Sequence, residues 1–403
     1  MPATSLAFVG GRVVPIDGEP IDDGVVICVD SRITAVGGPD TPVPPEAEVV
    51  DASGQWVLPG FLDAHTHLGV HEEGEGWAGN DTNEMTGPVT AHVRALDAIN
   101  PADLGWADAL SGGVLAVNVN PGSGNPIGGQ TVALKCWGRT VDDMLLRAPS
   151  GMKSALGENP KRVYSDQKKM PSTRLGTAAV IRTALATARD HGAKQERAQA
   201  TGEAAPDVDL VSEALLQVLR REIPWRQHSH RADDIATAVR LADEFGYELV
   251  IDHGTEAHLV AELLADRGVP VLIGPLMTSR SKVELRNRSM RNPARLHAAG
   301  VTISIITDHP VVPIHYLVLQ AVLAVRDGLD PEVALRAITL NPATVMGVQD
   351  RLGSIAAGKD ADLCLWSGDP LDAVSRVAAA WIEGRQVYRY DEASGEGVVT
   401  ATG

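Results

Sequence analysis

The sequence predicts an α/β protein: a (β/α)8 TIM-type barrel with a small β-sandwich domain formed by both chain ends. Three observations carry this. Short apolar runs alternate with long amphipathic segments through the middle of the chain, as parallel βα units require. Eight such runs can be counted, which favours a closed barrel. Both ends read instead as short strands divided by Gly, Pro and Asp turns.

At the N-terminal end the strands are Leu6 to Val9, Arg12 to Ile16, Gly24 to Val29 and Ile33 to Val36; at the C-terminal end they are Ala361 to Trp366, Val377 to Glu383 and Gln386 to Tyr388. Residues 1–58 and 349–403 are therefore assigned to the sandwich domain and 59–348 to the catalytic barrel. Barrel strands are expected at Trp56 to Leu62, Gly113 to Val119, Thr131 to Lys135, Gly151 to Ala155, Pro224 to Gln227, Glu248 to Ile251, Pro270 to Ile273 and Thr302 to Thr307. Helices are expected at 88–99, 173–203, 208–221, 231–245, 256–267, 314–327 and 331–339, the last opened by Asp330-Pro331 as N-cap and first-turn pair. The weak link is the second crossover. Only the Gly/Pro-rich run Asn120 to Gln130 separates its strands, whereas a parallel crossover needs about a dozen residues or more, which puts that helix in question.

A chain of 403 residues has room for one large domain and a smaller companion. Its formal net charge of −17 repels phosphate backbones and anionic lipid, so neither nucleic acid nor membrane is an expected partner. Three scattered cysteines, Cys28, Cys136 and Cys364, fit neither a disulfide framework nor a thiolate metal site and suit a reducing cytoplasm. The opening MPATSLAFVGGRVVPIDG lacks the basic and apolar regions of a signal peptide, and a cytoplasmic location is expected.

The chemistry gathers at predicted strand ends. The run Leu58-Pro59-Gly60-Phe61-Leu62-Asp63-Ala64-His65-Thr66-His67 is an apolar strand ending in two histidines at i and i+2, which face one way. Barrel active sites lie at the C-terminal ends of the strands, and two neutral imidazoles there suit Zn²⁺ or a similar ion. His228 ends Trp225-Arg226-Gln227-His228, His253 ends Leu249-Val250-Ile251-Asp252-His253, and Asp308 ends Ile303-Ser304-Ile305-Ile306-Thr307-Asp308. Taken singly, each has a plain structural reading as a loop-start or capping residue. Five strand-end ligands together are hard to dismiss. His230, two residues beyond His228, either faces substrate, bonding to a tetrahedral intermediate, or packs beneath the helix start.

At this point the sequence resembles the amidohydrolase superfamily, and most closely its imidazolonepropionase-related members, over essentially the whole chain. That pattern of His-x-His, two later histidines and an aspartate is matched by His65, His67, His228, His253 and Asp308. The segments Asn341-Pro342-Ala343 and Gly353-Ser354-Ile355 through Gly358-Lys359-Asp360-Ala361-Asp362-Leu363 are also similar to the family's. The resemblance implies a bound divalent metal, Zn²⁺ with Mn²⁺ or Fe²⁺ as alternatives, as one or two ions. In binuclear members a carboxylated lysine bridges the ions, a place that Lys153 on the fourth strand would take, with Glu158 as the rival bridge.

The implied reaction is cleavage of a C–N bond in a cyclic or small peptide-like amide, with Asp308 moving the proton as general base and then acid. The basic loop Leu276 to Arg286 suggests an anionic substrate and offers Arg280; the polar excursion of residues 156–174 suggests a lid offering Tyr164 and Arg174. Two rival readings remain: a heterocycle deaminase, weakened because His228-Ser229-His230-Arg231 contains no glutamate, and a non-catalytic barrel scaffold, weakened by the intact ligand set. A homo-oligomer is admitted but not indicated.

Overall fold

The computed structural model describes residues 5–402. Among these, one sheet of eight strands forms the barrel: Phe61–Thr66, Val114–Val119, Ile127–Lys135, Leu145–Ala155, Trp225–Ser229, Leu249–His253, Val271–Ile273 and Ile303–Ile305. Just past its last strand the sheet returns to the first, where the Asp308 amide donates to the His65 carbonyl and the His67 amide to the His309 carbonyl. The architecture is a TIM-type barrel.

One strand departs from the expected all-parallel order. Ile127–Lys135 runs antiparallel to both of its neighbours. The seven residues after Val119 can turn the chain back but cannot carry it over a helix to a parallel neighbour. A second reversal, through Cys136 to Met144, restores the direction of Leu145–Ala155, so Lys153 reaches the same face as the other strand ends. The helix expected at 88–99 is also missing. Only the short 3-10 turn Ala95–Ala98 forms, and Val89 and Arg94 make isolated bridges to Ile127 and Gln130. That segment lies against the reversed strand largely as extended chain, burying Ala91 and Ala95 and partly covering Val89, Leu96 and Ile99 without a regular helix.

The helix expected at 256–267 is reduced to the 3-10 turn Ala257–Leu259 and the short helix Ala261–Ala265, whereas the other helical periods hold, giving Arg174–Thr201, Leu210–Leu219, Ala232–Phe245, Leu317–Arg326 and Pro331–Arg336. The Asp330 carboxylate caps the last of these by accepting from the amides of Glu332 and Val333. The segment read as a polar lid, 156–174, instead contains the helix Glu158–Asp166. At the other end of the barrel, the helix Leu340–Met346 plugs the interior. Its Ala343, Val345 and Met346 share a core with Leu62, Ala64, Ala116, Val250, Leu272 and Ile306, which leaves the opposite mouth for chemistry.

Both chain ends join one sheet of nine strands, in which Leu363–Trp366 pairs antiparallel with Trp56–Pro59. The run expected as a single barrel strand from Trp56 to Leu62 is therefore divided: Trp56–Pro59 serves the end sheet and Phe61–Thr66 the barrel. The end sheet has its own core around Phe8, Val26, Ile33, Leu363 and Trp381. It is tied to the barrel by Lys135, which is buried and donates to Asp360 Oδ2 at 2.7 Å and Asp362 Oδ1 at 3.0 Å. No helix among the described residues is long and apolar enough to cross a membrane.

Candidate metal centre

The open mouth gathers every strand-end residue singled out by the sequence. His65 closes the first strand, where register slips by one residue between Asp63 and Thr66, a bulge of the kind that re-aims side chains. Asp308 Oδ1 lies 3.3 Å from both His65 Nε2 and His67 Nε2. The His253 ring centroid is 4.7 Å from that of His65 and 4.4 Å from that of His228. Two triads of ligand atoms result, His65 with His253 and Asp308, and His228 with His230 and His253; within each, all atoms lie within 4.8 Å of one another. His253 belongs to both.

The backbone is strained where this matters. His253 and Asp308 both take positive φ, 74° and 54°, a region non-glycine residues rarely occupy and that persists where surroundings overdetermine it. Hydrogen bonds then turn the rings. His67 Nδ1 pairs with the Asn120 carbonyl at 2.8 Å, His253 Nδ1 with the Gly274 carbonyl at 3.0 Å and His230 Nδ1 with Thr255 Oγ1 at 2.8 Å. Each leaves Nε2 free toward the cluster, the usual arrangement for a ligating histidine. His228 Nδ1 is buried without a hydrogen bond, an orphaned ring nitrogen of the kind a bound cation satisfies.

Protonation states agree. Burial and the neighbouring His253, His230, Lys153 and Lys282 hold the His228 imidazole well below its usual pKa. Burial, against the pull of Asp308, does the same to His253, and burial lowers His230 to about 3. Burial alone would raise Asp308, but His253, His65 and His67 keep it well below the usual carboxylate range. Neutral imidazoles and an ionised carboxylate form a donor set suited to a divalent ion.

Lys153 is fully buried, with Nζ 3.4 Å from His65 Nε2 and donating to Asp252 Oδ2 at 3.2 Å. Burial lowers its pKa although Asp252 and Asp308 oppose this. Glu158 stands at the head of its helix beside Glu284, which accepts its amide, and is not among the ligand triads.

Beneath the mouth lies a residue the sequence reading passed over. Asp252 Oδ2 sits 3.0 Å from His65 Nδ1, and Arg226 lies 3.5 Å from its other oxygen. Burial would raise this carboxyl, yet Arg226, His65 and Lys153 hold it well down. The signal was present. A carboxylate in the apolar run before His253 invites the argument used for Asp308.

Three expected substrate contacts are engaged elsewhere. The Tyr164 hydroxyl is buried between two acceptors, the Asn125 side-chain oxygen at 2.7 Å and the Gly87 carbonyl at 2.5 Å, and donates its one proton there. Arg174 is neutralised by Asp234 and Glu284. Arg280 is exposed and donates to the carbonyls of Arg286 and Arg288 in its own loop. His230, read from the sequence as facing substrate or packing beneath the helix start, stands beside His228 and His253, with ligand atoms of all three within 4.8 Å of one another.

Comparison with known proteins bears on this site directly. The profile of the Amidohydrolase family matches residues 211–387, which include His228, His253 and Asp308. The crystal structure of an amidohydrolase from Thermotoga maritima MSB8 is 45% identical and superposes with a TM-score of 0.93, covering 95% of this chain and 100% of that one. The chain belongs to the amidohydrolase family. An imidazolonepropionase from Stenotrophomonas maltophilia is 27% identical over 404 residues, 91% of this chain and 92% of its own length. The amidohydrolase tasK of Hapsidospora irregularis is 31% identical over 388 residues; these are 90% of this chain but only 39% of the longer relative. As an imidazolonepropionase-related amidohydrolase, the chain is a hydrolase of carbon–nitrogen bonds, in a family that generally uses a divalent metal.

Proposed function

We propose that the chain hydrolyses a cyclic or small peptide-like amide with a divalent metal held by His65, His67, His228, His253 and Asp308, Zn²⁺ first and Mn²⁺ or Fe²⁺ as alternatives. The observation that carries the reading is the sharing of His253 between two ligand triads, one of which includes Asp308. Two overlapping triads suit two ions. Lys153, buried between His65 and Asp252 with its amine biased toward the neutral form, is the bridge once carboxylated, and His230 is either a further ligand or a donor to substrate. We assign residues 59–348 to this catalytic barrel and 1–58 with 349–403 to the companion domain, and place the enzyme in the cytoplasm.

When bound, the metal lowers the pKa of a water and polarises the scissile carbonyl. The chain's own residues do the rest. Asp308, ionised and lying against His65 and His67, accepts the proton of the attacking water and returns it to the leaving nitrogen. Asp252 and the Asn120 and Gly274 carbonyls hold the imidazoles so that none must rotate during turnover. The deaminase alternative needs a glutamate beside His228. The nearby candidate, Glu256, is committed to the Ala232 amide and the Asn287 side chain, so hydrolysis keeps the stronger support.

Elemental analysis of protein purified without chelator, wild type beside Lys153→Ala, tests this. Two ions falling to one or none support the bridged pair, one ion in both keeps the hydrolase without the bridge, and no metal in either sinks the reading. Product analysis finding released ammonia from a heterocyclic amine would favour deamination.

A further inference from the structure

The loop after the seventh barrel strand is rich in basic residues, and all but one of those that can be followed are engaged away from the mouth. Arg280 binds carbonyls of its own loop, Arg288 binds the Leu276 carbonyl, and Arg286 and Arg291 pair with Glu256 and Asp327. Lys282 is different. It is half-buried, has no carboxylate partner among the described residues, and donates from Nζ to Asn159 Oδ1 at 3.0 Å. Glu284, two residues on, is turned away: it accepts from the Glu158 amide and from Arg174.

Asn159 carries this charge into the site. Its Nδ2 donates to Ser123 Oγ at 2.7 Å and lies 3.5 Å from His228 Nε2. A cation with no carboxylate partner among the described residues, held beside a place meant to receive further positive charge, is costly unless an anion completes it.

We propose that Lys282, positioned by Asn159, is the anion-binding residue of the substrate site, and that the substrate carries a carboxylate close to its scissile amide. A single side-chain amide separates Lys282 from His228, so the anion and the reacting carbon–nitrogen bond are near neighbours in the substrate. An N-acyl amino acid or a dipeptide-like molecule meets that requirement. The inference rests on the hydrolase reading above and adds the substrate class to it.

The test uses metal-loaded full-length protein, as wild type, Lys282→Met and Lys282→Arg. Calorimetric dissociation constants are measured for N-acetylglycine, N-acetyl-L-leucine and N-acetyl-L-proline, each beside its uncharged C-terminal amide. The expected result is that wild type prefers at least one acid over its amide by about 10- to 100-fold, the range of a charge-assisted hydrogen bond. Lys282→Met should erase that preference, leaving the amide's affinity unaltered, and Lys282→Arg should restore most of it. Equal affinity for each acid and amide, no detectable acid binding in wild type, or a preference that survives in Lys282→Met overturns the proposal. Turnover of the same pairs is scored separately. An acid preference without hydrolysis leaves the subsite standing and removes the reaction, whereas hydrolysis without preference does the reverse.

Discussion

Buried histidines that stay neutral set how this site responds to pH. His230 titrates near 3 in the folded chain and near ~6.5 when unfolded, so between those values the unfolded state binds a proton that the folded state refuses. Its contribution to stability therefore falls as pH drops through that window, by up to about 1.4 kcal/mol per pH unit. In metal-free protein, His230→Asn should flatten the fall in denaturant midpoint between pH 6 and pH 5 relative to wild type; parallel curves would contradict the assignment. Asp63 and Glu284, both raised to about 7, contribute in the opposite sense, which is why the comparison between variants is the informative one. Asp252 is argued on geometry. As the partner of His65 Nδ1 it fixes the ring that offers Nε2 to Asp308, and Asp252→Asn should weaken metal binding by about 10- to 100-fold in chelator competition. Unchanged affinity would reduce Asp252 to a packing residue. The five principal candidates were legible because each stands at the end of a predicted strand, and for all but His228 that strand is an apolar run in which a polar side chain needs a reason. Lys282 and Asn159 were not, since their meeting depends on how a loop folds against the first turn of a helix 123 residues earlier.

Strands and helices were legible where a period ran long enough to bury one face, as in Ala232–Phe245 and Leu317–Arg326. The reversed strand Ile127–Lys135 was only half legible. Its short connection argued against a crossover helix, yet nothing local specified direction, because a strand buried on both faces reads the same either way. The helix expected at 88–99 failed because apolar spacing cannot tell a helix from extended chain lying on a sheet. Strand ends offer a sharper test. Gly274 has φ +152°, a Cβ there would collide with the Ile306 carbonyl, and its own carbonyl pairs with His253 Nδ1. Gly274→Ala should cost at least about 1–3 kcal/mol of stability and weaken metal binding with it. Denaturant titration and metal affinity on one preparation check both, and a variant that loses neither would show the seventh and eighth strands to be looser than described.

On the scale of the whole molecule, a site built from five strands couples metal occupancy to folding. A ligand that binds only the folded chain adds about 4 kcal/mol at a thousandfold excess over its dissociation constant. Chelator treatment should therefore lower the melting temperature, and titration of Zn²⁺ should restore it; an unchanged melt would deny the metal a place in the barrel. The end sheet has a consequence of another kind. Pro59 faces Leu363 across two paired strands, and Lys135 is held by Asp360 and Asp362. During synthesis, Pro59 must wait for some three hundred residues still to be made and Lys135 for 225, roughly 11–60 s at ribosomal speeds. Through that interval the nascent chain exposes an open sheet edge and an unneutralised ammonium, so its birth, more than its finished form, is when it most needs a chaperone.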